Sequence, residues 1–472
     1  MFSGYYQIRD WLESFIPQVY SKENLGLERI EYLLKLLGNP QEKFKSIHIA
    51  GTSGKGSTAY YTARLLKESK SKRVKVGLHL SPHLVDIRER MQIFKDEGLM
   101  PMDKFVNLFN QVAQVVEKIK KEKSGLTPSY FEILVAASFL YFAKEKVDWA
   151  VVEVGLGGRL DATNVLRPKV CVITNVGLDH TDILGRSIEK IAFEKAGIIK
   201  KQVPVITAAQ GKALKVIEKV AKDKKAPLIK IDVQRPEKSL NLDIFSNITK
   251  PIDILRYLPK NLVLENVLLA ITTISTLGFK LDSIFIKKAF TAGFAGRFEE
   301  IDKGVILDGA HNPQKIRFLI KMIKKQLTTN NLQMTNKKSN VSGQMSIVLI
   351  IAFKKGKEWK KMLDLLMNEL LVKEVFTTKF NAVTDTGWYA AVKPQEIKNY
   401  LESKGQRVKV RVFANSQEAV FEALNESVIL NVSEGSIDSS SSTQNDKPLV
   451  LLTGSLYLVG EVRTMWYLPS FA

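Results

Sequence analysis

A run of small and polar residues near the start of the chain has the composition of a phosphate-binding loop. Residues 46–50, which we predict to be a strand, lead into the sequence GTSGKGST. Three glycines allow the backbone to curl and to point its N–H groups at an anion, and a following helix adds the positive end of its dipole. We therefore predict a nucleotide-phosphate site. Its residues are Gly51, Thr52, Ser53, Gly54, Lys55, Gly56, Ser57 and Thr58.

Two side chains of this loop have the chemistry that a nucleotide requires. Lys55 could reach the β- and γ-phosphates, and the Ser57 hydroxyl could contact Mg²⁺. The strict motif is not met, because Ile49 stands where the first glycine is expected and Gly56 directly follows the lysine. A glycine-rich turn that binds no ligand is the alternative.

A second glycine cluster, VVEVGLGGRLDATN at residues 151–164, contains a carboxylate inside an apolar segment. A dinucleotide fingerprint would need glycine at Leu160, so the pattern argues against a nicotinamide cofactor. Glu153 would be costly to bury unless it is paired or bound to a metal. We predict that it helps to hold Mg²⁺, with an ion pair to Arg159 as the alternative.

Three of the five histidines follow predicted strand ends, where ligands bind in open parallel sheets. They are His83, His180 and His311, and their positions favour ligand contact. His48 lies inside the strand before the phosphate loop, where we expect a packed core residue.

The elements that position these residues alternate between short β-branched runs and longer amphipathic stretches, which is typical of an α/β fold with parallel sheets. The predicted strands are 46–50, 74–80, 149–154, 170–175, 304–307, 346–353 and 449–453, and the predicted helices include 56–69, 130–144 and one from residue 312. Two Ala-Gly pairs near residues 291–296 mark a boundary, which predicts domains 1–295 and 296–472. Residues 328–344 and 433–447 have the composition of disordered surface insertions.

Composition limits the class of protein. The 472 residues carry 70 Lys and Arg against 49 Asp and Glu, a net charge of +21. The single cysteine, Cys171, excludes a disulfide framework and fits a reducing compartment. No secretory signal or bilayer-spanning stretch is recognised, and we expect a cytoplasmic protein. Nucleic acid, a membrane surface or an anionic small substrate could each explain the charge.

Several motifs occur together in one order along the chain. They are HIAGTSGKGST (48–58), SPHLVDIRER (81–90), TPSYFEIL (127–134), EVGLGGRLDATN (153–164), TNVGLDHTDILG (174–185), FEKAGII (193–199), GRFEE (296–300) and DGAHNP (308–313). The chain resembles the folylpolyglutamate synthase/dihydrofolate synthase family of the Mur ligase superfamily. The resemblance implies an N-terminal P-loop Mur-ligase-type ATPase domain with a parallel sheet, and a smaller C-terminal Rossmann-like α/β domain.

The implied activity is ATP-dependent addition of L-glutamate to a folate or dihydropteroate carboxylate through an acyl phosphate. Two Mg²⁺ sites are implied. The metal ligands carried over are Ser81, Glu153 and His180, with Ser57 as a further candidate. Lys195 corresponds to a lysine that is carbamylated in the family.

The resemblance also assigns substrate contacts. Asn266, Arg297 and Asp308 correspond to nucleotide contacts, although Val263 stands where the family usually has a glutamine upstream of that asparagine. Lys195, Asp308 and His311 are the implied catalytic residues, and Ser455 resembles a serine near the glutamate site. The pteroate side is assigned to Ser129, Tyr130, Phe131, Leu160, Asp161 and Ala162.

Two alternatives remain open. A cell-wall amino-acid ligase of the same superfamily would share the ATP chemistry, but SPHLVDIRER and TPSYFE favour folate. A basic nucleic-acid-binding NTPase would need a concentrated basic stripe with interleaved aromatic residues, whereas these lysines are scattered. We expect small-molecule substrates only, no nucleic acid, no membrane, and a monomer.

Overall fold

The computed structural model describes residues 1–17, 25–69, 74–94, 98–235, 263–291, 293–334, 346–385, 387–429 and 448–466. The chain divides into two compact units. The first comprises Met1–Ala292 and the short segment Thr384–Gly387, and the second comprises most of the remainder from Gly293. The predicted boundary at residue 295 stays a prediction.

The first unit is built on a seven-stranded sheet of order β3-β2-β4-β1-β5-β6-β7. All neighbouring strands are parallel except the antiparallel pair β2 and β3. The strands are β1 (Lys45–Ala50), β2 (Val76–His79), β3 (Met91–Phe94), β4 (Trp149–Glu153), β5 (Val170–Ile173), β6 (Val205–Thr207) and β7 (Leu228–Lys230).

Ten α-helices accompany this sheet in the described part of the chain. They are α1 (Tyr5–Glu13), α2 (Glu28–Leu36), α3 (Lys55–Glu68), α4 (Met102–Glu122), α5 (Tyr130–Lys144), α6 (Thr181–Leu184), α7 (Ile188–Ala196), α8 (Gly211–Asp223), α9 (Leu264–Thr276) and α10 (Ser283–Thr291).

The central strands are buried along nearly their whole length, as expected when helices cover both faces of a parallel sheet. All five residues of β4 are buried, including Glu153. β1 lies between β4 and β5, so the carboxyl ends of these three strands meet at one edge. The loops that follow them are therefore brought together.

Helix α5 begins at a side-chain cap that the sequence specifies locally. The Ser129 hydroxyl accepts from the backbone N–H of Glu132, and the Glu132 carboxylate accepts from the N–H of Ser129. This reciprocal capping box satisfies two donors that a helix start otherwise leaves free. The helix is buried over nearly all its length, as its apolar composition requires.

The second unit has a six-stranded sheet of order β14-β11-β10-β15-β9-β8, parallel except for β8 and β9. Its strands are β8 (Glu299–Asp302), β9 (Val305–Leu307), β10 (Ile347–Ile351), β11 (Val372–Thr377), β14 (Lys409–Val412) and β15 (Leu449–Thr453). A separate two-stranded sheet pairs β12 (Asn381–Thr384) with β13 (Gly387–Ala390). The helices are α11 (Pro313–Met334), α12 (Trp359–Glu369), α13 (Pro394–Ser403), α14 (Ser416–Ile429) and α15 (Leu456–Arg463).

The α/β fold class with two mainly parallel sheets is confirmed. Most predicted strands occur within two or three residues of the expected bounds. One difference is that α11 extends to Met334, so the first residues of the predicted insertion 328–344 are helical because the amphipathic pattern continues into them. The insertion 433–447 lies outside the described residues. Among the described helices, none is long and apolar enough to cross a membrane.

Candidate active site

The phosphate loop connects β1 to α3, and the residues that directly follow β5 hold it in place. Thr52 N–H donates to Asn175 O (2.9 Å), and Ser53 N–H donates to Asn175 Oδ1 (3.0 Å). Thr174 Oγ1 donates to Ser53 O (2.7 Å). Ser53 Oγ is buried without a hydrogen-bond partner, so the loop retains a polar atom that a bound anion could satisfy.

Two glycines of the loop are required by its geometry. Gly54 has φ +79°, and a Cβ there would lie 2.2 Å from Asn266 Oδ1. Gly51 allows a similarly close approach, since its Cβ would lie 1.8 Å from Thr174 Oγ1. The left-handed backbone at Gly54 directs the chain into α3, whose first residue is Lys55.

Asn266, on α9, lies against the phosphate loop although Val263 replaces the usual upstream glutamine. It is 3% exposed, and its Oδ1 accepts from Thr58 Oγ1 at 3.4 Å. The neighbouring Glu265 accepts from Asn175 Nδ2 at 2.6 Å. Helix α9 is thus linked to the phosphate loop by two adjacent side chains. Asn266 contacts the loop directly, and Glu265 binds the Asn175 side chain that holds it.

Glu153, at the end of β4, presents its carboxylate to the phosphate loop. A Cβ on Gly56 would lie 3.3 Å from Glu153 Oε2, and the same oxygen accepts from Ser81 N–H at 3.0 Å. Ser57 is the next residue of the loop, so the structure brings three of the four predicted metal positions into one neighbourhood. Arg159 pairs instead with Glu194 at 3.0 Å, which disfavours it as the partner of Glu153.

The oxygen donors of this neighbourhood fit Mg²⁺. A carboxylate and two serine hydroxyls are hard ligands of the kind that Mg²⁺ prefers. His180 begins the segment before α6, with φ +49°, and its Nε2 lies 3.9 Å from Asp179 Oδ1. Among the described residues there is no group of three or more His, Cys, Asp and Glu side chains placed to hold a metal. The assignment of His180 as a metal ligand stays a prediction.

Lys195, near the end of α7, is buried beside the phosphate loop. Only 4% of it is exposed, and its Nζ donates to Gly51 O at 2.8 Å. Burial lowers the pKa of this amine to about 7, and the positive charge of Lys55 acts in the same direction. At neutral pH a large fraction of Lys195 is therefore uncharged and nucleophilic.

The predicted pteroate residues surround the end of β4 and the start of α5. The ring of Phe131 lies against Gly155, where a Cβ would be 2.5 Å from the ring. Tyr130 is buried beneath the Arg90 guanidinium, 5.8 Å from ring centroid to Cζ. Ser129 is occupied as the cap of α5.

The segment Leu160-Asp161-Ala162 closes the glycine loop after β4. Asp161 Oδ2 accepts from Leu156 N–H at 2.8 Å, and its Oδ1 accepts from the N–H and Oγ1 of Thr163. Burial raises the pKa of Asp161, and these hydrogen bonds oppose the shift. The loop is therefore shaped by this one carboxylate.

The remaining predicted residues belong to the second unit. Asp308 and His311 follow β9, Ser455 follows β15, and Arg297 lies just before β8, which pairs antiparallel with β9. Asp308 accepts from Phe298 N–H and Ala310 N–H, both at 2.8 Å. Burial raises the pKa of Asp308, and the positive charge of Arg297 opposes the shift. His311 Nδ1 lies 2.8 Å from Gly309 O, and its Nε2 lies 2.9 Å from Lys315 Nζ.

Ser455 follows β15 and caps α15. Its hydroxyl accepts from Tyr457 N–H at 3.2 Å, and the residue is 2% exposed. Because β9 and β15 are parallel neighbours, Ser455 comes from the strand end beside the one that carries Asp308. The predicted residues of the second unit therefore lie at neighbouring strand ends, as those of the first unit do.

Two family models match separate parts of the chain. The Mur ligase middle domain matches residues 49–272, and the model described as dihydrofolate synthetase, C-terminal domain, matches residues 297–465. The dihydrofolate synthase/folylpolyglutamate synthase of Buchnera aphidicola is 32% identical over 68% of this chain and 76% of its own. The chain belongs to the dihydrofolate synthase/folylpolyglutamate synthase family.

Other relatives agree with this assignment. The dihydrofolate synthase/folylpolyglutamate synthase of Bacillus subtilis is 40% identical, over 48% of this chain and about half (51%) of its own length. The crystal structure of folylpolyglutamate synthase from Thermotoga maritima superposes with a TM-score of 0.71 at 28% identity, covering 99% of this chain and 97% of that one. The predicted family membership and two-domain fold are confirmed.

Sequence reasoning missed several residues of this dihydrofolate synthase/folylpolyglutamate synthase family site. Thr174, Asn175 and Glu265 hold the phosphate loop, yet none was singled out for that role. The available signal was the position of Thr174 and Asn175 directly after a core strand. Glu265 carried only the weak signal of a helix-start carboxylate.

Proposed function

We propose that this chain is an ATP-dependent ligase that joins L-glutamate to the carboxylate of a dihydropteroate or folate. The observation that carries the proposal is the position of Glu153 and Lys195 on two sides of one phosphate loop. A phosphate loop alone would suit any nucleotide-binding protein. A buried carboxylate and a buried amine beside it are the groups that phosphoryl transfer and metal placement require.

In the first step the phosphate loop binds ATP. The backbone N–H groups of Lys55, Gly56 and Ser57 at the start of α3 face the phosphates, and the Lys55 side chain neutralises part of their charge. A carboxylate oxygen of the folate substrate attacks the γ-phosphorus, the bond to the bridging oxygen breaks, and ADP leaves with those electrons. The product is an acyl phosphate.

In the second step the amine of glutamate attacks the acyl carbon. The tetrahedral intermediate expels inorganic phosphate, and the nitrogen loses a proton to give the amide. We infer that Asp308 and His311 act on the nucleotide and glutamate side of this chemistry, with Arg297 and Ser455 as binding residues. Their support is that all four lie at adjacent strand ends of the second unit.

Glu153, Ser81 and Ser57 would hold Mg²⁺, with His180 as a further ligand. When bound, the metal neutralises the negative charge that develops on the transferring phosphoryl oxygens. The hydrogen bond from Ser81 N–H orients the Glu153 carboxylate toward the loop.

Carbamylation of Lys195 would complete a second metal site. The protonated amine first loses one proton, and the neutral amine then attacks CO₂. An N–C bond forms and a second proton is released, so a buried cation becomes an anion. The pKa of about 7 supports this step, because it leaves the amine uncharged near neutral pH. The positive charge of Lys55 would stabilise the resulting carbamate.

Pteroate would bind beside the glycine loop that follows β4. Phe131 offers an aromatic face for a pterin ring, the buried Tyr130 supports it from the same helix start, and residues 160–162 form the adjoining wall. The C-terminal model is described for dihydrofolate synthetase, which favours addition of the first glutamate to dihydropteroate alongside extension of folates.

The decisive experiment offers dihydropteroate and tetrahydrofolate separately, each with ATP and L-glutamate, and identifies the products by mass spectrometry. We expect one added glutamyl residue and stoichiometric ADP. ADP release that no pteroate or folate stimulates, together with activity on a uridine-nucleotide muramyl peptide, would contradict the proposal. Omitting glutamate is the control for simple ATP hydrolysis.

A further inference from the structure

A buried hydrogen-bond chain connects strand β1 to the loop that follows β4. His48 is fully buried, and its Nε2 lies 2.8 Å from Thr163 Oγ1. Thr163 Oγ1 in turn donates to Asp161 Oδ1 at 2.5 Å. The proposed chemistry uses neither His48 nor Thr163, although both are buried polar residues that are costly to keep in a core.

The direction of each hydrogen bond follows from the number of protons available. A threonine hydroxyl has one proton, and a carboxylate has none. Thr163 therefore donates to Asp161 and accepts from His48, which places the imidazole proton on Nε2. In agreement, His48 Nδ1 has no hydrogen-bond partner, and burial lowers the pKa of His48 to about 3, so the ring is neutral.

The Asp161 carboxylate is used mainly inside the loop. It accepts from Leu156 N–H and from the N–H and Oγ1 of Thr163. A carboxylate offers about four acceptor positions, and the chain itself occupies three of them. Asp161 thus gathers both ends of the glycine loop around one point.

This loop forms the surface against which Phe131 packs. Gly155 lies against the Phe131 ring and directly precedes Leu156, whose N–H donates to Asp161. β1 continues from His48 into Gly51, so one strand anchors the phosphate loop and the glycine loop together. Loss of the hydrogen bond between His48 and Thr163 would therefore change the conformation of the glycine loop at Asp161 first.

We propose that His48 and Thr163 are positioning residues for the pteroate site: they hold Asp161, and through it the loop beside Phe131, in the shape that receives the aromatic ring system of the substrate. This inference rests on the proposed function. It extends that function by assigning the shape of the pteroate site to a buried chain of hydrogen bonds. Neither residue touches the substrate, and Asp161 acts through the shape of its loop.

The test compares Thr163→Val with Thr163→Ser in the full-length chain. Valine has the shape of threonine without the hydroxyl, whereas serine keeps the hydroxyl. Loss of a buried hydrogen bond costs on the order of a tenfold change in an equilibrium constant. We expect Thr163→Val to raise the KM for dihydropteroate about tenfold. The KM for ATP should change far less, and Thr163→Ser should restore most of the loss.

His48→Phe provides an independent arm, because the ring is kept without its N–H donor. It should raise the same KM, and the double variant His48→Phe/Thr163→Val should show much less than the sum of the two effects, as expected for one shared interaction. Equilibrium binding of dihydropteroate and the melting temperature are measured for every variant.

An unchanged KM for dihydropteroate in both single variants would overturn the positioning role. Equal losses for ATP and dihydropteroate, or failure of both variants to fold, would also overturn it, since they indicate a role in stability alone. A wild-type protein that forms no glutamylated product contradicts the proposed function instead. An active wild type with unaffected variants contradicts only this inference.

Discussion

Glu153 is a carboxylate at a position where burial by itself would lower the stability of the fold. It is 6% exposed at the end of an apolar strand, and its carboxylate faces the backbone of the phosphate loop. A buried carboxylate is tolerated when hydrogen bonds or a cation compensate its lost hydration. Ser81 N–H supplies one hydrogen bond, and Mg²⁺ would supply the cation.

Glu153→Gln should lower kcat by at least about 100-fold because an amide oxygen is a weaker metal ligand than a carboxylate. The Ser81 hydrogen bond can persist, so the melting temperature should change little. Steady-state kinetics and a thermal melt measure the two effects. Glu218→Gln is the matched control, since Glu218 pairs with Lys230 on the surface and its loss should be nearly neutral. Full activity of Glu153→Gln would remove the residue from the metal site.

Lys195 is expected to respond to dissolved CO₂ and to pH. Its pKa of about 7 means that the neutral amine becomes the major form as the pH rises above 7, and only that form reacts with CO₂. Activity should therefore fall in CO₂-depleted buffer and recover with bicarbonate, with greater recovery at pH 8 than at pH 6. A carbamate signal in ¹³C NMR after addition of ¹³C-bicarbonate is the direct readout.

Lys195→Arg serves as the control because an arginine keeps the positive charge and cannot be carbamylated under these conditions. It should lack both the activity and the carbamate signal. A wild-type protein with full activity and no such signal in CO₂-free buffer would show that the unmodified lysine is sufficient.

At the scale of elements, the junction of β1, the phosphate loop and α3 depends on backbone conformations that only glycine adopts easily. Gly54 is left-handed and is packed against Asn266 on α9. The start of α3, the phosphate loop and α9 are therefore packed so closely that one added carbon atom at Gly54 would displace both the loop and α9.

Gly54→Ala should weaken ADP and ATP binding by about tenfold or more, because left-handed alanine costs about 1–2 kcal/mol and the new Cβ would clash with Asn266. Isothermal titration with ADP measures the effect. Gly125→Ala is the control, since nothing lies within 4 Å of a Cβ there. Unaltered ADP affinity in Gly54→Ala would place the nucleotide away from this loop.

At the scale of the whole molecule, buried histidines make stability depend on pH. Burial lowers the pKa of His48 and of His79 to about 3, against an ordinary value of 6.5. Between these values the unfolded chain binds more protons than the folded chain. The folded state must therefore lose stability as the pH falls from 6.5 toward 3.

We expect the free energy of unfolding to fall by at most about 1.4 kcal/mol per pH unit for each of these histidines. Hydrogen exchange of the β1 and β4 amides at pH 7, 6 and 5 reports on the first unit directly. His48→Gln removes one of the buried rings whose pKa is lowered and should flatten the dependence. An equal slope in that variant would show that other groups control the acid sensitivity.

The large positive charge is also a property of the whole molecule. The described site uses few of the 70 basic side chains, chiefly Lys55, Lys195 and Arg297. Others pair on the surface, as Lys230 does with Glu218 and Lys361 with Glu358. The expectation that the excess is a matter of surface composition, and not of a nucleic-acid partner, stays a prediction.

Local rules determined much of this protein from sequence alone. The order of strands and helices, the phosphate loop, and the capping box of Ser129 and Glu132 depend on residues within a few positions of each other, where steric and hydrogen-bonding preferences act directly. The same locality explains why the α/β fold class and the positions of most strands could be predicted.

Tertiary structure decided which of these residues meet and in what chemical state. His48 and Thr163 are 115 residues apart, and Glu265 reaches Asn175 across 90, so no spacing rule could pair them. The pKa of Lys195 depends on burial, and burial exists only after the chain has folded around it. Sequence supplied the reactive groups, whereas desolvation and long-range contact gave them their properties.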